Sequence, residues 1–77
     1  MKSDRNSEDL IAFGQRLKSI RESKHISQEA LAFDADISIS QISRIERGVI
    51  NTSVSQIISI CRTLDIHPKE LFAFYKK

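Results

Sequence analysis

Residues 27–48, which read SQEALAFDADISISQISRIERG, form the most informative segment of the sequence. It predicts two short helices joined by a tight turn. At about 100° per residue, isoleucines fall on one face of the second helix, and the opposite stripe carries only hydroxyl and guanidinium groups. These groups belong to Ser40, Ser43, Arg44 and Arg47. The major groove of DNA admits one α-helix, and its base edges offer acceptors to such groups, so the pattern predicts a helix that enters that groove.

Length and composition limit what the chain can be. Its 77 residues suffice for one domain near the lower limit for a self-sufficient core, with room for one binding surface and none for a separate ligand-sensing domain. The apolar runs are too short for a membrane span or a signal peptide. A single cysteine excludes an internal disulfide and is typical of a reducing cytoplasm. We therefore expect a cytoplasmic protein, bacterial or phage-encoded and associated with the nucleoid.

Charge alone does not favour DNA binding. The net charge is only +2, and residues 26–52, which include the predicted groove helix, carry two basic and four acidic side chains. Scattered charge of this kind is typical of a solvated surface. The prediction of DNA binding therefore depends on helix geometry and not on charge.

The spacing of apolar residues elsewhere predicts an all-α bundle of five helices, with no strand alternation and no repeats. Residues 1–6 lack periodicity and are expected to form a disordered arm, so that residues 7–77 make up a single DNA-binding domain. The predicted starting caps are serines, except at the fifth helix, where Pro68 fits the first position. The helices are expected to run from Ser7 to Lys24, Ser27 to Ala35, Ser38 to Arg47, Ser53 to Leu64 and Pro68 to Tyr75.

Two features refine this reading. Ser38 and Ser53 are each followed three positions later by a glutamine, which is the spacing of a capping box. The fourth helix is predicted to bury one apolar stripe. Its members are Val54, Ile57, Ile58, Cys61 and Leu64.

A set of residues between positions 26 and 72 matches a known pattern. They are ISQE at 26–29, LA at 31–32, IS at 37–38, ISRIERG at 42–48, Asn51, Ser53, LDI at 64–66 and PKELF at 68–72. This pattern resembles the helix-turn-helix of phage repressor and Cro-like (Xre-type) regulators, and the match covers nearly all of residues 13–75. The resemblance implies a lambda-repressor-like bundle. His25, Asp36 and Asp65 stand where this family usually has glycine, and a left-handed backbone is expected at each.

Two charged residues are expected to point inward. Arg21 lies on the apolar side of the first helix and Glu46 on the apolar side of the third. Because an unpaired buried charge is costly, the simplest solution is that they pair with each other, and the resemblance implies the same pair. We interpret both as a structural ion pair.

The candidate DNA-binding residues lie on and around the third helix. Arg44 is expected to read a guanine, and Arg47, nearer the helix end, to contact a phosphate. Gln41 could read an adenine or bond locally, and Ile39 could pack on a thymine methyl group. Gln28 matches a family position near the phosphate backbone. The full set is Gln28, Ser38, Ile39, Ser40, Gln41, Ser43, Arg44, Arg47 and Asn51. Val49 and Ile50 replace the basic residues often found after this helix, which argues against strong phosphate binding there.

No enzyme, cofactor or metal is expected. The sequence contains no arrangement typical of nucleophilic catalysis and no glycine-rich phosphate loop. His25 and His67 are far apart along the chain, and Cys61 is expected in the core, so no metal-ligand spacing is present.

The apolar C-terminus predicts a partner surface. Phe72, Phe74 and Tyr75 cannot all be buried in a core of this size, and we assign them to a homodimer interface. The leading hypothesis is a dimeric, sequence-specific transcriptional regulator on a two-fold symmetric operator. One alternative is an antitoxin that binds a toxin partner and its own promoter. Another is a helical interaction module that does not bind DNA.

Overall fold

The computed structural model describes the backbone of residues 2–75 and the side chains of residues 5–75. In this range the chain forms five helices and no strand, which confirms the predicted all-α class. In chain order the helices are α1 (Lys2–Ser23), α2 (Gln28–Ala35), α3 (Ile39–Arg47), α4 (Val54–Leu64) and α5 (Pro68–Leu71). Three of them, α2 to α4, have the predicted bounds.

The first helix begins earlier than predicted. Residues 2–6, expected to form a disordered arm, belong to α1, and Ser7 is an interior residue and not a cap. Met1 lies outside the described residues. The physical reason is that no glycine or proline interrupts the first turns, so the helix continues past the last apolar contact. Periodicity marks where a helix is packed and not where it begins.

The last helix is shorter than predicted, because it ends at Leu71 and not near Tyr75. Beyond it the Tyr75 N–H donates to the Phe72 carbonyl at 3.0 Å, which is a turn. Phe72 and Phe74 both pack on Phe13, with ring centroids 5.3 and 6.4 Å away. Residues two apart on a helix point about 200° apart, so a continued helix could not bring both rings to Phe13. Aromatic packing therefore overrides helix propensity here.

Serine caps begin α2, α3 and α4 as predicted, with Ser27, Ser38 and Ser53 accepting a backbone N–H three residues on. The reciprocal half of the predicted capping boxes is wrong, because the side chains of Gln41 and Gln56 bond to each other. A full capping box occurs instead at α5, between His67 and Glu70.

The predicted left-handed residues are confirmed. His25, Asp36 and Asp65 have φ values of 60°, 59° and 56°, and Gly48 has 76°. Each of them follows the end of a helix and lets the backbone N–H groups satisfy the last free carbonyls. The turn at Asp36 lies between α2 and α3 and redirects the chain from one helix to the other.

The core lies where all five helices meet. Its fully buried side chains are Leu17, Leu31, Ile42, Ile45, Ile60, Leu64 and Leu71. In α4 the prediction is partly wrong: Val54 is 71% and Ile58 44% exposed, and Ile60 is fully buried. Ile57, Cys61 and Leu64 of the predicted stripe lie in or against the core, and Ile60 takes the place of Val54 and Ile58. On a helix of three turns rich in isoleucine, the apolar pattern fits two faces almost equally well.

Two glycines hold α1 against α3. A Cβ atom at Gly14 would lie 2.3 Å from the Ile45 carbonyl oxygen, and one at Gly48 would lie 2.5 Å from Cα of Ile11. The backbones therefore touch at both places, and the position of α3 on the bundle is fixed by α1.

Candidate nucleic-acid interface

The third helix presents two chemically different faces. Ile42 and Ile45 are 0% and 1% exposed and anchor the helix in the core. Ser40, Arg44 and Arg47 are exposed, and no protein hydrogen bond is recorded for either guanidinium group within the described residues. The geometry thus brings three of the four residues of the predicted stripe to the surface of the protein, on a helix whose inner face is buried in the core.

Three further members of the predicted set adjoin this stripe. Ile39 is 44% exposed at the start of the helix. The Ser43 side chain is half-buried. The Ser38 hydroxyl is exposed and accepts the Gln41 N–H at 3.1 Å, so its oxygen serves the cap and its proton remains available.

An ion pair supports α3 from behind. The Nε atom of Arg21 donates to Oε2 of Glu46 at 2.6 Å, and Nη2 donates to Oε1 at 3.0 Å. Both side chains are buried, and Arg21 also donates to the carbonyl of Ile26 at 2.8 Å. The hydrogen bond to Glu46 raises the pKa of Arg21 and outweighs the burial that would lower it. The pair ties α1 and the loop after it to the last turn of α3.

Gln28 belongs to the same network. Its Nε2 donates to Oε1 of Glu46 at 2.9 Å, and the residue is half-buried. Glu46 thus accepts bonds from α1 and from the first turn of α2. The bond from Gln28 braces α3 against α2, and a phosphate contact of Gln28 stays a prediction.

Gln41 does not point freely toward the solvent. Its Nε2 donates to Oε1 of Gln56 in α4 at 2.8 Å, and the Thr52 hydroxyl donates to the same oxygen at 2.9 Å. Gln56 is absent from the predicted site. The only signal in the sequence is its spacing from Ser53, which indicates a cap and not a contact with the third helix.

The loop after α3 carries no basic side chain. Val49 is 58% exposed, Ile50 packs against the core, and Asn51 is exposed. Asn51 also lines an open groove of about 160 Å³ whose other walls come from α1, α4 and the C-terminal turn. Of the candidate loop residues, the amide of Asn51 could therefore bind a phosphate, whereas the Thr52 hydroxyl proton is donated to Gln56.

The C-terminal aromatics are divided between core and surface. Phe72 and Tyr75 are 44% and 68% exposed, whereas Phe74 packs on the core. Phe33, on the outer side of α2, is 86% exposed. The predicted patch therefore retains two outward rings, and Val54 and Ile58 add apolar surface on α4.

Other chemistry is limited. Cys61 is buried, and burial, with a smaller effect of Glu70, raises the pKa of its thiol. Among the described residues, no three histidine, cysteine or acidic side chains come together as metal ligands do. Nor does any helix in that part of the chain combine the length and the apolar character needed to cross a membrane.

Comparison with known proteins identifies the family. The helix-turn-helix family model HTH_3 matches residues 17–71. The chain belongs to this family. Its members are transcriptional regulators, and the chain is a DNA-binding transcriptional regulator and not an enzyme.

Relatives of this helix-turn-helix regulator include control proteins. The control protein C.BamHI of Bacillus amyloliquefaciens is 45% identical over 65 residues, which cover 83% of this chain and 80% of that protein. The control protein C.MunI of a Mycoplasma species is 37% identical over 68 residues, covering 87% of this chain and 92% of the relative. The crystal structure of the restriction-modification controller protein C.AhdI from Aeromonas hydrophila superposes with a TM-score of 0.83 at 45% identity, over 84% of this chain and 98% of that one.

Proposed function

We propose that this regulator reads DNA by placing α3, Ile39–Arg47, in the major groove as a two-fold dimer on a symmetric operator. The observation that carries the proposal is the division of α3 into a fully buried isoleucine face and an exposed face of serine and arginine. A rigid inner face is required because base contacts discriminate only when the reading side chains are held in register.

Each exposed side chain has a role that fits its chemistry. Arg44, in the middle of the stripe, can donate two bonds to O6 and N7 of a guanine. Arg47 and Asn51 lie at the end of α3 and in the next loop, where phosphate contacts orient the protein. Ser38, Ile39, Ser40, Gln41 and Ser43 face the adjoining base edges, and Gln28 lies at the start of α2, where helix N–H groups also favour a phosphate.

A dimer is proposed because a single copy is expected to bind DNA weakly. A loop without basic residues and a net charge of +2 leave a single copy few phosphate contacts. Two copies on adjacent half-sites, about 34 Å apart, would supply the affinity that one lacks. The proposed contact between copies uses the exposed rings of Phe72 and Tyr75, with Phe74 packed beside Phe72, and the exposed side chains of Val54 and Ile58.

The relatives suggest the genes under control. Similarity to control proteins over most of their length supports a controller of restriction and modification genes, acting in the cytoplasm on nucleoid DNA. No observation favours a toxin partner, because the relatives are named as controllers or regulators.

The experiment begins with selection of bound sites from a random DNA pool. Arg44→Ala is then compared with wild type on the selected operator, on its single-base variants and on an isolated half-site. We expect a loss of about 1–3 kcal/mol and relaxed preference at one base pair per half-site, because one guanine contact is lost. Arg62→Ala, which removes an exposed arginine near the far end of α4, is the matched control. If Arg44→Ala discriminates among the variants as wild type does, α3 is not the reading helix.

A further inference from the structure

A polar cluster joins the recognition helix to the first turn of α4. At its centre, Oε1 of Gln56 accepts Nε2 of Gln41 at 2.8 Å and the hydroxyl of Thr52 at 2.9 Å. An amide oxygen has two lone pairs, so both acceptor positions of Gln56 are filled. All three residues are half-buried, which shields these bonds from competing water.

The backbone at both ends of the cluster is also held. The N–H of Gln41 donates to the Ser38 hydroxyl at 3.1 Å, and the N–H of Gln56 donates to the Ser53 hydroxyl at 3.2 Å. Thr52 precedes that cap in the loop between α3 and α4. Both glutamines are therefore held by backbone hydrogen bonds at the starts of α3 and α4, as well as by the bonds between their side chains.

This arrangement determines what Gln41 can offer to DNA. One N–H of its amide is committed to Gln56, which leaves the Oε1 acceptor and a second N–H. An adjacent acceptor and donor on one amide are complementary to N6 and N7 of adenine. A free glutamine side chain would have to be ordered on binding, at an entropic cost.

We propose that Gln56 is a positioning residue that determines specificity: it holds the Gln41 amide in the orientation that reads a base, without itself touching that base. The proposal rests on the proposed function, because it requires α3 in the major groove. The proposal gives α4 a part in sequence recognition. Thr52 supports it, because its hydroxyl donates to the same Gln56 oxygen as Gln41 does.

The test measures base discrimination in four variants. Gln41→Ala first identifies which base pair of the selected operator depends on Gln41. Gln56→Leu, which removes the acceptor at similar length, should lower discrimination at that same pair by about 3- to 10-fold, the cost of ordering one free side chain. In the Gln41→Ala background, Gln56→Leu should have no further effect on that pair. Gln56→Glu keeps an oxygen acceptor for both donors, so it should retain the discrimination while its charge weakens binding to all DNA alike.

Controls separate positioning from folding. Gln15→Leu makes the same change on the exposed face of α1 and should leave every base preference intact. Denaturant unfolding of each variant reports any loss of stability, which would lower affinity for all sites equally and leave the ratios between them unchanged. Thr52→Val removes one donor of the cluster and should shift the same base pair, by less than Gln56→Leu does.

Three outcomes would overturn the proposal. The first is a Gln56→Leu variant that binds all single-base variants in wild-type ratios. The second is a Gln56→Glu variant that loses discrimination as Gln56→Leu does, because Gln56 would then act as a donor. The third is a Gln41→Ala variant that alters no base pair. If Arg44→Ala still relaxes the preference at one base pair, the proposed function stands and only the role of Gln56 fails. If neither Arg44→Ala nor Gln41→Ala changes any base preference, the placement of α3 in the major groove is itself wrong.

Discussion

The contact between α1 and α3 and the outer surface formed by α4 and the C-terminal turn are built on opposite principles. At the first, backbones touch at Gly14 and Gly48, and the buried charges of Arg21 and Glu46 are fully paired. At the second, Val54, Ile58, Phe72 and Tyr75 leave a large part of their apolar area open. The first region is closely packed and its charges are paired, whereas the second leaves apolar side chains exposed.

Sequence determines structure uniquely where the residue types at a contact allow few alternatives. Glycine at a close approach and a pair of buried charges have few alternative solutions, so such residues specify one contact. Apolar residues at helical spacing fit a core and an interface equally well.

Within the contact between α1 and α3, substitution of the Arg21–Glu46 ion pair should cause the largest loss of stability. Arg21→Met or Glu46→Leu alone should lower the free energy of unfolding by about 3–5 kcal/mol, since the partner is left as an unpaired buried charge. The double variant should recover much of that loss. Denaturant unfolding of both singles and the double measures the coupling, with Glu22→Leu on the exposed side of α1 as the control. Single effects that simply add would show that the pair contributes no mutual stabilisation.

The helix contact at Gly14 should be the next most sensitive. Gly14→Ala places a methyl group against the carbonyl oxygens of Ile45 and Glu46, which are backbone atoms and cannot rotate away. Overpacking of this kind costs about 1–3 kcal/mol, although alanine is otherwise the better helix former. Thermal or denaturant unfolding would show the loss, and Gln15→Ala at the neighbouring exposed position is the control. A Gly14→Ala protein as stable as wild type would mean that α1 and α3 do not meet as closely as described.

How much of the molecule could be predicted follows the same division. The bounds of α2, α3 and α4, the left-handed turns and the pairing of Arg21 with Glu46 follow from residue types with narrow conformational or electrostatic preferences. The early start of α1 and the early end of α5 could not be read from periodicity, because neither end is marked by a breaker residue. In α4, Ile60 and not Ile58 lies in the core beside Cys61 and Leu64, and only contact with α2 and α5 decides between the two isoleucines.

Within the candidate site, the exposed stripe of α3 was predictable and the environment of Gln41 was not. Helical angles alone place Ser40, Arg44 and Arg47 on one side, because every residue of a short helix obeys them. The bond from Gln41 to Gln56 depends on how α4 crosses α3, which is a tertiary property. Local spacing instead suggests a capping box that the structure does not contain at either helix.

The open surface should give the smallest change in stability and a separate change in assembly. Val54→Ser and Tyr75→Ser should each alter the free energy of unfolding by no more than about 0.5 kcal/mol in dilute solution, because exposed side chains away from special features contribute little. If two copies associate through this surface, the same substitutions should weaken self-association in sedimentation equilibrium and binding to the full operator, while binding to an isolated half-site stays at the wild-type level. Self-association also adds stability by mass action, so the wild-type unfolding midpoint should rise with protein concentration and that of the variants should rise less. Ile60→Ala on the buried face of α4 is the contrasting control, with an expected loss of about 2–5 kcal/mol at any concentration. A monomeric Val54→Ser variant that loses as much stability as Ile60→Ala would show that Val54 lies in the core. A wild-type chain that stays monomeric and still binds its full operator tightly would contradict the proposed dimer.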